Sequence, residues 1–189
     1  MIPGVSLRTV LVAVDAGAPD DGDARRAAAR VATAARARLA VFEVPRGGVP
    51  AVEVARAAER QDVGIIVLPR EPRDLVEGTV RRARVPCLIV SKGACPFRRI
   101  LAALDGGPDS AGILDVASAL GELLGGDVEA VHVRDGDPVA AIIDRVQAEG
   151  TDLLVHGHHR GGPRNGHETG SIAARLLGRA PCAVLTVPI

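Results

Sequence analysis

The sequence predicts an α/β protein with parallel sheets, written twice along one chain. Three observations carry that reading. Short apolar runs alternate with Ala-, Arg- and Glu-rich amphipathic stretches, the pattern of strands joined by crossover helices. The alternation restarts near residue 99. The second half then repeats landmarks of the first. TVLVAVDAG matches RILAALDGG at an offset of 90, GGVPAVEVARAAERQDVGIIVL matches DGDPVAAIIDRVQAEGTDLLVH at 88, and ARVPCLIV matches GRAPCAVL at 95.

In the first half, Thr9 to Val14 reads as a strand ending at Asp15, followed by an Ala- and Arg-rich helix from Asp23 to Arg38. Leu39 to Val44 is a strand, Ala51 to Gln61 a helix and Val63 to Leu68 a strand. PREPRDLVEGT is a polar connection, a helix runs from Gly78 to Arg84 and stops before Pro86, and Leu88 to Val90 is a strand. SKGACPF links the halves. Arg99 to Leu104 is again a strand ending at Asp105. Ser110 to Leu124 carries apolar residues at 113, 114, 117, 120, 121 and 124, a helical spacing. Val128 to Val133 is a strand, Pro138 to Glu149 a helix, and Leu153 opens the next strand. Two small domains are expected, residues 1–92 and 97–189.

Composition narrows the function classes. The 189 residues are 47% hydrophobic, with Phe42 and Phe97 as the aromatics, so the core must be Val, Leu, Ile and Ala. Lys+Arg and Asp+Glu both number 23, which gives no basic surface for nucleic acid. No apolar run approaches the ~20 residues that span a bilayer. The opening MIPGVSLRTVLVAVD has no charged leader and is expected to lead straight into a strand, so a cytoplasmic location is the default expectation. Three cysteines, Cys87, Cys95 and Cys182, cannot all pair, and no C-x-x-C occurs.

Residues 152–187 carry the strongest signal. Leu153 to Val155 is a buried-strand run, Gly157 to Thr169 is a glycine-rich loop, and Gly170-Ser171 opens a helix with Ser as N-cap and Ile172, Leu176 and Leu177 on one face. Pro181 stops the helix, and Ala183 to Val187 is a strand. A glycine loop at a helix start suits an anion, because free N–H groups and the positive dipole end face it. Arg160 and Arg164 can add charge. Such loops also serve only to turn the chain, and the spacing is neither G-x-x-x-x-G-K-[ST] nor G-x-G-x-x-G.

This segment resembles the C-terminal part of a universal stress protein domain, whose loop has the form G-x2-G-x9-G-[ST]. Gly157 matches the first glycine and Gly170-Ser171 the closing pair, while Arg160 stands in place of the second glycine. Pro181-Cys182-Ala183-Val184 matches the start of the family's last strand. Through the repeat, the resemblance covers the whole chain. It implies an adenine nucleotide such as ATP, with Mg beside its phosphates. It also implies roles at matching positions. Asp105 lies by the adenosine, the Val133 backbone meets adenine, His156 sits beside the phosphate loop where the family commonly has Met, and Gly157, Gly170, Ser171 and Ile172 hold phosphates. Asp105 reads equally well as a turn former with GGPDS. Arg160 either grips a phosphate as a bidentate donor or fills the space of the missing glycine.

The chain departs from the family in lacking an edge strand and a helix in each half. Four strands per half are expected, in two mainly parallel sheets. The terminal strands, Leu88 to Val90 and Val184 to Val187, would meet within the chain as a pseudo-dimer that could itself associate. In the first half, Pro69 replaces Gly157 and only eight residues precede Gly78-Thr79, with Glu71, Asp74 and Glu77 among them, so no nucleotide is expected there. His156, His158, His159 and His167 are not spaced as metal ligands and read as solvated loop histidines. No nucleophile–base pair stands out, so binding rather than catalysis is expected. The alternatives are an interaction module that has lost nucleotide binding and a weak ATP hydrolase.

Overall fold

Strands and helices alternate along the chain in the computed structural model. The first half holds β1 (Thr9–Asp15), α1 (Gly22–Ala35), β2 (Arg38–Val44), α2 (Pro50–Arg60), β3 (Ile65–Pro69), α3 (Arg73–Val80) and β4 (Cys87–Val90). The second holds β5 (Arg99–Leu104), α4 (Ser110–Leu124), β6 (Asp127–His132), α5 (Pro138–Glu149), β7 (Leu153–His158), α6 (Ser171–Arg179) and β8 (Ala183–Pro188). The structure describes residues 7–15, 22–44, 50–93, 96–133, 137–158 and 171–189. No described helix is long and apolar enough to cross a membrane.

The strands form one eight-stranded sheet in the order β2-β1-β3-β4-β8-β7-β5-β6. The expected meeting of the two terminal strands makes one continuous sheet of the two four-stranded sheets that the sequence predicts. Each half does contribute four parallel strands, but the halves join where β4 pairs antiparallel with β8 through Cys87↔Thr186, Leu88↔Leu185 and Ile89↔Val184. The physical reason is the one that made these strands suspect. They are apolar and would otherwise be bare edges, and an unpaired edge seeks a strand. The order reads alike from either end, 2-1-3-4 against 6-5-7-8.

Two core layers follow from strand alternation. On one face, Val10, Val12 and Val14 of β1 and Ile100, Ala102 and Leu104 of β5 pack with α1 and α4. On the other, Leu11, Ala13, Leu101, Ala103, Leu154 and Val184 pack with α2, α3, α5 and α6. Both layers draw on both halves, so the strands are buried on two sides, as parallel strands require. Phe97 is fully buried in the layer that holds α1 and α4. Arg30 of α1 lies 5.7 Å from its ring centre and donates from Nη2 to the Leu124 carbonyl at the end of α4, 3.1 Å away.

The sequence reading misplaces one helix. α3 starts at Arg73, with Pro72 as its cap residue, instead of at Gly78. Leu75, Val76, Thr79 and Val80 are its buried face. Proline at a helix start and Asp74 in the first turn were the signals, and both were read as marks of a polar connection.

A long-range clamp locks the halves together. Arg70, the residue after β3, donates from Nη1 to the carbonyls of Leu177 (2.9 Å) and Ala180 (2.8 Å) and from Nη2 to that of Cys182 (2.6 Å). Ser91, just past β4, gives its hydroxyl to the same Cys182 carbonyl at 2.9 Å. These are carbonyls that the end of α6 and the turn into β8 would otherwise leave unpaired. Burial lowers the Arg70 pKa, yet from so high a starting value the group stays charged. Arg70→Ala should cost on the order of 2–3 kcal/mol in urea unfolding, because half-buried acceptors lose a charged donor. Arg70→Lys should recover only part of this, since an ammonium's donors radiate from one nitrogen, whereas the guanidinium reaches these carbonyls from two.

Candidate functional site

The register brings the expected residues to one sheet edge. β5 lies between β7 and β6. Leu104 pairs with His132, so Asp105 and Val133 leave the sheet side by side, one residue further on. Ala103 pairs with His156 of β7, which in turn pairs with Thr186 of β8. The chain leaves β5 by α4 on one face towards β6, and leaves β7 by α6 on the other face towards β8. Crossovers that diverge in this way open a crevice at the carboxyl ends of the two strands, here β5 and β7.

Asp105 is exposed, and its carboxylate has local work. Its Oδ1 accepts from the Gly107 N–H at 2.8 Å and from the Ser110 hydroxyl at 3.0 Å. This is the turn-forming role, and it fixes the first residue of α4. Val133 is half-buried and packs against the α5 layer. Gly157 faces α4. A Cβ there would meet Ile113 Cδ1 at 2.6 Å and Ile189 Cδ1 at 2.9 Å, so a side chain at this position would push both isoleucine ends aside. Ser171 begins α6, and Ile172 is 46% exposed. The expectation that Ile172 shares the buried face of Leu176 and Leu177 is therefore corrected. It lies in the first turn, beyond the core that covers the other two. Arg160, Arg164 and Gly170 lie outside the described residues.

His156 also departs from expectation. It was read as a solvated loop residue, but β7 runs on to His158 because β8 pairs with it as far as Pro188. His156 is 4% exposed, its Nδ1 lies 2.9 Å from the Gly157 carbonyl, and its buried Nε2 has no hydrogen-bond partner. With Nδ1 as the donor, Nε2 is a bare acceptor. Among the described residues no group of His, Cys, Asp and Glu gathers as a metal site; His159 and His167 lie outside them. Cys87 and Cys182 are free and buried, and burial pushes their thiols up to about 12 and about 11, far from a reactive thiolate. Cys95 lies outside the described residues.

One feature at this edge was missed in the sequence. Asp137 is the N-cap of α5, accepting from the Val139 N–H at 3.1 Å, and it pairs with Arg175 of α6. The Arg175 hydrogen bond is the main reason its carboxyl stays below its usual pKa. Asp before Pro138 was the available signal. A separate shallow groove lies between α3 and α6, lined by Arg70, Arg73, Glu77 and Leu177 among others; it belongs to the clamp region and lies apart from this edge.

Residues 122–188 match the model of the Universal stress protein family. That stretch runs from the end of α4 through β8 and takes in β6, β7 and the start of α6. No curated protein matches the chain. Among solved structures, a functionally unknown protein from Pseudomonas aeruginosa PAO1 aligns over 97% of this chain and 93% of its own, with 16% identity and a TM-score of 0.69. A universal stress protein from Archaeoglobus fulgidus aligns over 95% and 86%, with 19% identity and a TM-score of 0.65. At such identities these two likenesses speak for the fold.

His156 gives this edge a measurable pH signature. Burial pushes its imidazole down to about 4, from 6.5 in an open chain. Between those values the unfolded chain binds a proton that the folded one does not. Stability therefore falls as pH drops through the window, by about 1.4 kcal/mol per unit, and this contribution is flat above and below it. Between pH 7 and 5 the protein should lose roughly 2 kcal/mol more than His156→Met does. Urea unfolding of both at each pH checks it.

Proposed function

We propose that the chain is a tandem universal stress protein that binds one adenine nucleotide, in the crevice between β5 and β7. The observation that carries this reading is the family match over residues 122–188. It falls on the strand, loop and helix whose register gathers Asp105, Val133, Gly157 and the start of α6 at one edge. The donor set suits the ligand. A helix start offers N–H groups to phosphate oxygens, an exposed carboxylate accepts from a ribose hydroxyl or an adenine amino group, and the backbone at Val133 faces the base. Gly157, Gly170, Ser171 and Ile172 would hold the phosphates through main-chain N–H groups, with Mg beside them when the nucleotide is ATP.

The asymmetry of the halves supports a single site. At the position matching Gly157, the first half has Pro69, and the next residue is committed to the α6 clamp. In this reading the first half serves as a fused partner, with the β4–β8 pairing standing where two subunits would otherwise meet. The role in this reading is binding and regulation. The second reading is an interaction module without nucleotide. Its favouring observations are Arg160 at a glycine position and the engagement of Asp105 Oδ1 in its own turn.

Calorimetry of the intact chain with Mg·ATP, ADP and AMP tests this. One nucleotide per chain is expected. Gly170→Val should abolish binding while the circular dichroism is unchanged, and Asp105→Ala should weaken it by roughly 1–3 kcal/mol, the scale of a hydrogen bond to a charged group. Arg160→Gly should lower affinity if arginine grips phosphate and raise it if arginine plugs the loop. Two equivalent sites, or unchanged affinity in Gly170→Val, would put the site elsewhere. No binding at all would favour the interaction module.

A further inference from the structure

The sheet has two edges, and their charges are placed differently. At the β6 edge, Asp127, Glu129 and His132 are exposed, and Glu129 is ion-paired with Arg145 of α5. Charges along an edge strand discourage another strand from pairing there. At the β2 edge the exposed charges, Arg38 and Glu43, flank the middle of the strand, and Leu39, Ala40, Val41 and Phe42 between them run without one. Leu39 is 39% exposed and Val41 48%, two of the three large apolar residues exposed among the described ones, and they share one face of one strand. The third, Ile172, lies at the start of α6.

We propose that β2 pairs antiparallel with β2 of a second copy of this chain, extending the sheet across a two-fold axis at Ala40. The sequence of the strand selects this occupant. A two-fold perpendicular to the sheet keeps each residue on its own face, so opposed residues must share parity. Centred on Ala40, the register sets Leu39 against the partner's Val41 and Val41 against the partner's Leu39, joining the exposed apolar pairs into one four-residue patch. Arg38 then faces the partner's Phe42, a favourable cation and ring pair, and no like charges are opposed. A shift of two residues one way sets Leu39 against the partner's Glu43, and the other way sets Val41 against the partner's Ala37, so one register is preferred. The chain already uses the same device internally, where Leu88 faces Leu185 at the antiparallel β4–β8 junction.

The test is sedimentation of the full chain over a wide dilution series. The 19.4 kDa chain should sediment at twice its mass when concentrated and dissociate on dilution. Val41→Lys puts a charge at the centre of the pair and should leave single chains at every concentration, with an unchanged thermal melt because the position is half exposed. Ala130→Lys, on the β6 edge, should dimerise like the parent. In a Cys95→Ser background, Ala40→Cys sits on the axis and should cross-link into a disulfide dimer under mild oxidant, whereas Ala130→Cys should not. A wild-type chain that stays single when concentrated would overturn the proposal, as would a Val41→Lys variant that folds and still dimerises, or cross-linking through residue 130 and not residue 40.

Discussion

The antiparallel pairing of β4 with β8 is the constraint on which the rest depends. It reverses the direction of the sheet half-way across. The carboxyl edge of the first four strands therefore lies level with the amino edge of the last four. That reversal is why Arg70, at the carboxyl end of β3, meets the turn that feeds β8. It also lets each core layer run unbroken through both halves, so that a chain with very few aromatics buries Val, Leu, Ile and Ala on two faces of one sheet. Without the junction, each half would have a four-residue or six-residue apolar strand as a bare edge.

The halves differ around this shared frame. In the second, the chain after β7 runs through a glycine-rich stretch to α6, and the sheet edge collects a carboxylate, a buried histidine and two helix starts. In the first, the connection from β3 to α3 is three residues long, and its first residue is spent on the clamp. Arg70 and Arg30 act alike here. Each comes from the first half and satisfies carbonyls at the end of a second-half helix, α6 for one and α4 for the other. The first half thus braces the two helices whose opposite ends border the crevice.

Most of the fold was legible because it rests on local periodicity and on landmarks that occur twice. The bounds of β5, α4 and α5 agree with the sequence reading because caps, prolines and apolar spacing coincide there. The start of α3 was missed because proline and acidic residues mark a loop and a helix start equally well. The clamp was invisible, since it joins residues more than a hundred positions apart. At the candidate site, the sheet-edge placement of Asp105 followed from the strand pattern. Its bonds to Gly107 and Ser110 did not, because the same DGGPDS sequence serves a turn and a ligand alike. His156 looked like a loop residue until the length of β8 was known. Pairing with that strand is what buries it.

The central claim is that one crevice, in the second half, receives an adenine nucleotide. Amide chemical shifts of the full chain, followed during titration with a non-hydrolysable Mg·ATP analogue, test it most directly. Saturable shifts should cluster at Asp105, Val133, residues 156–158 and the first turn of α6, with the α3 region from Arg70 to Val80 unmoved. Shifts centred on that first-half region, or none anywhere at saturating nucleotide, would contradict the account.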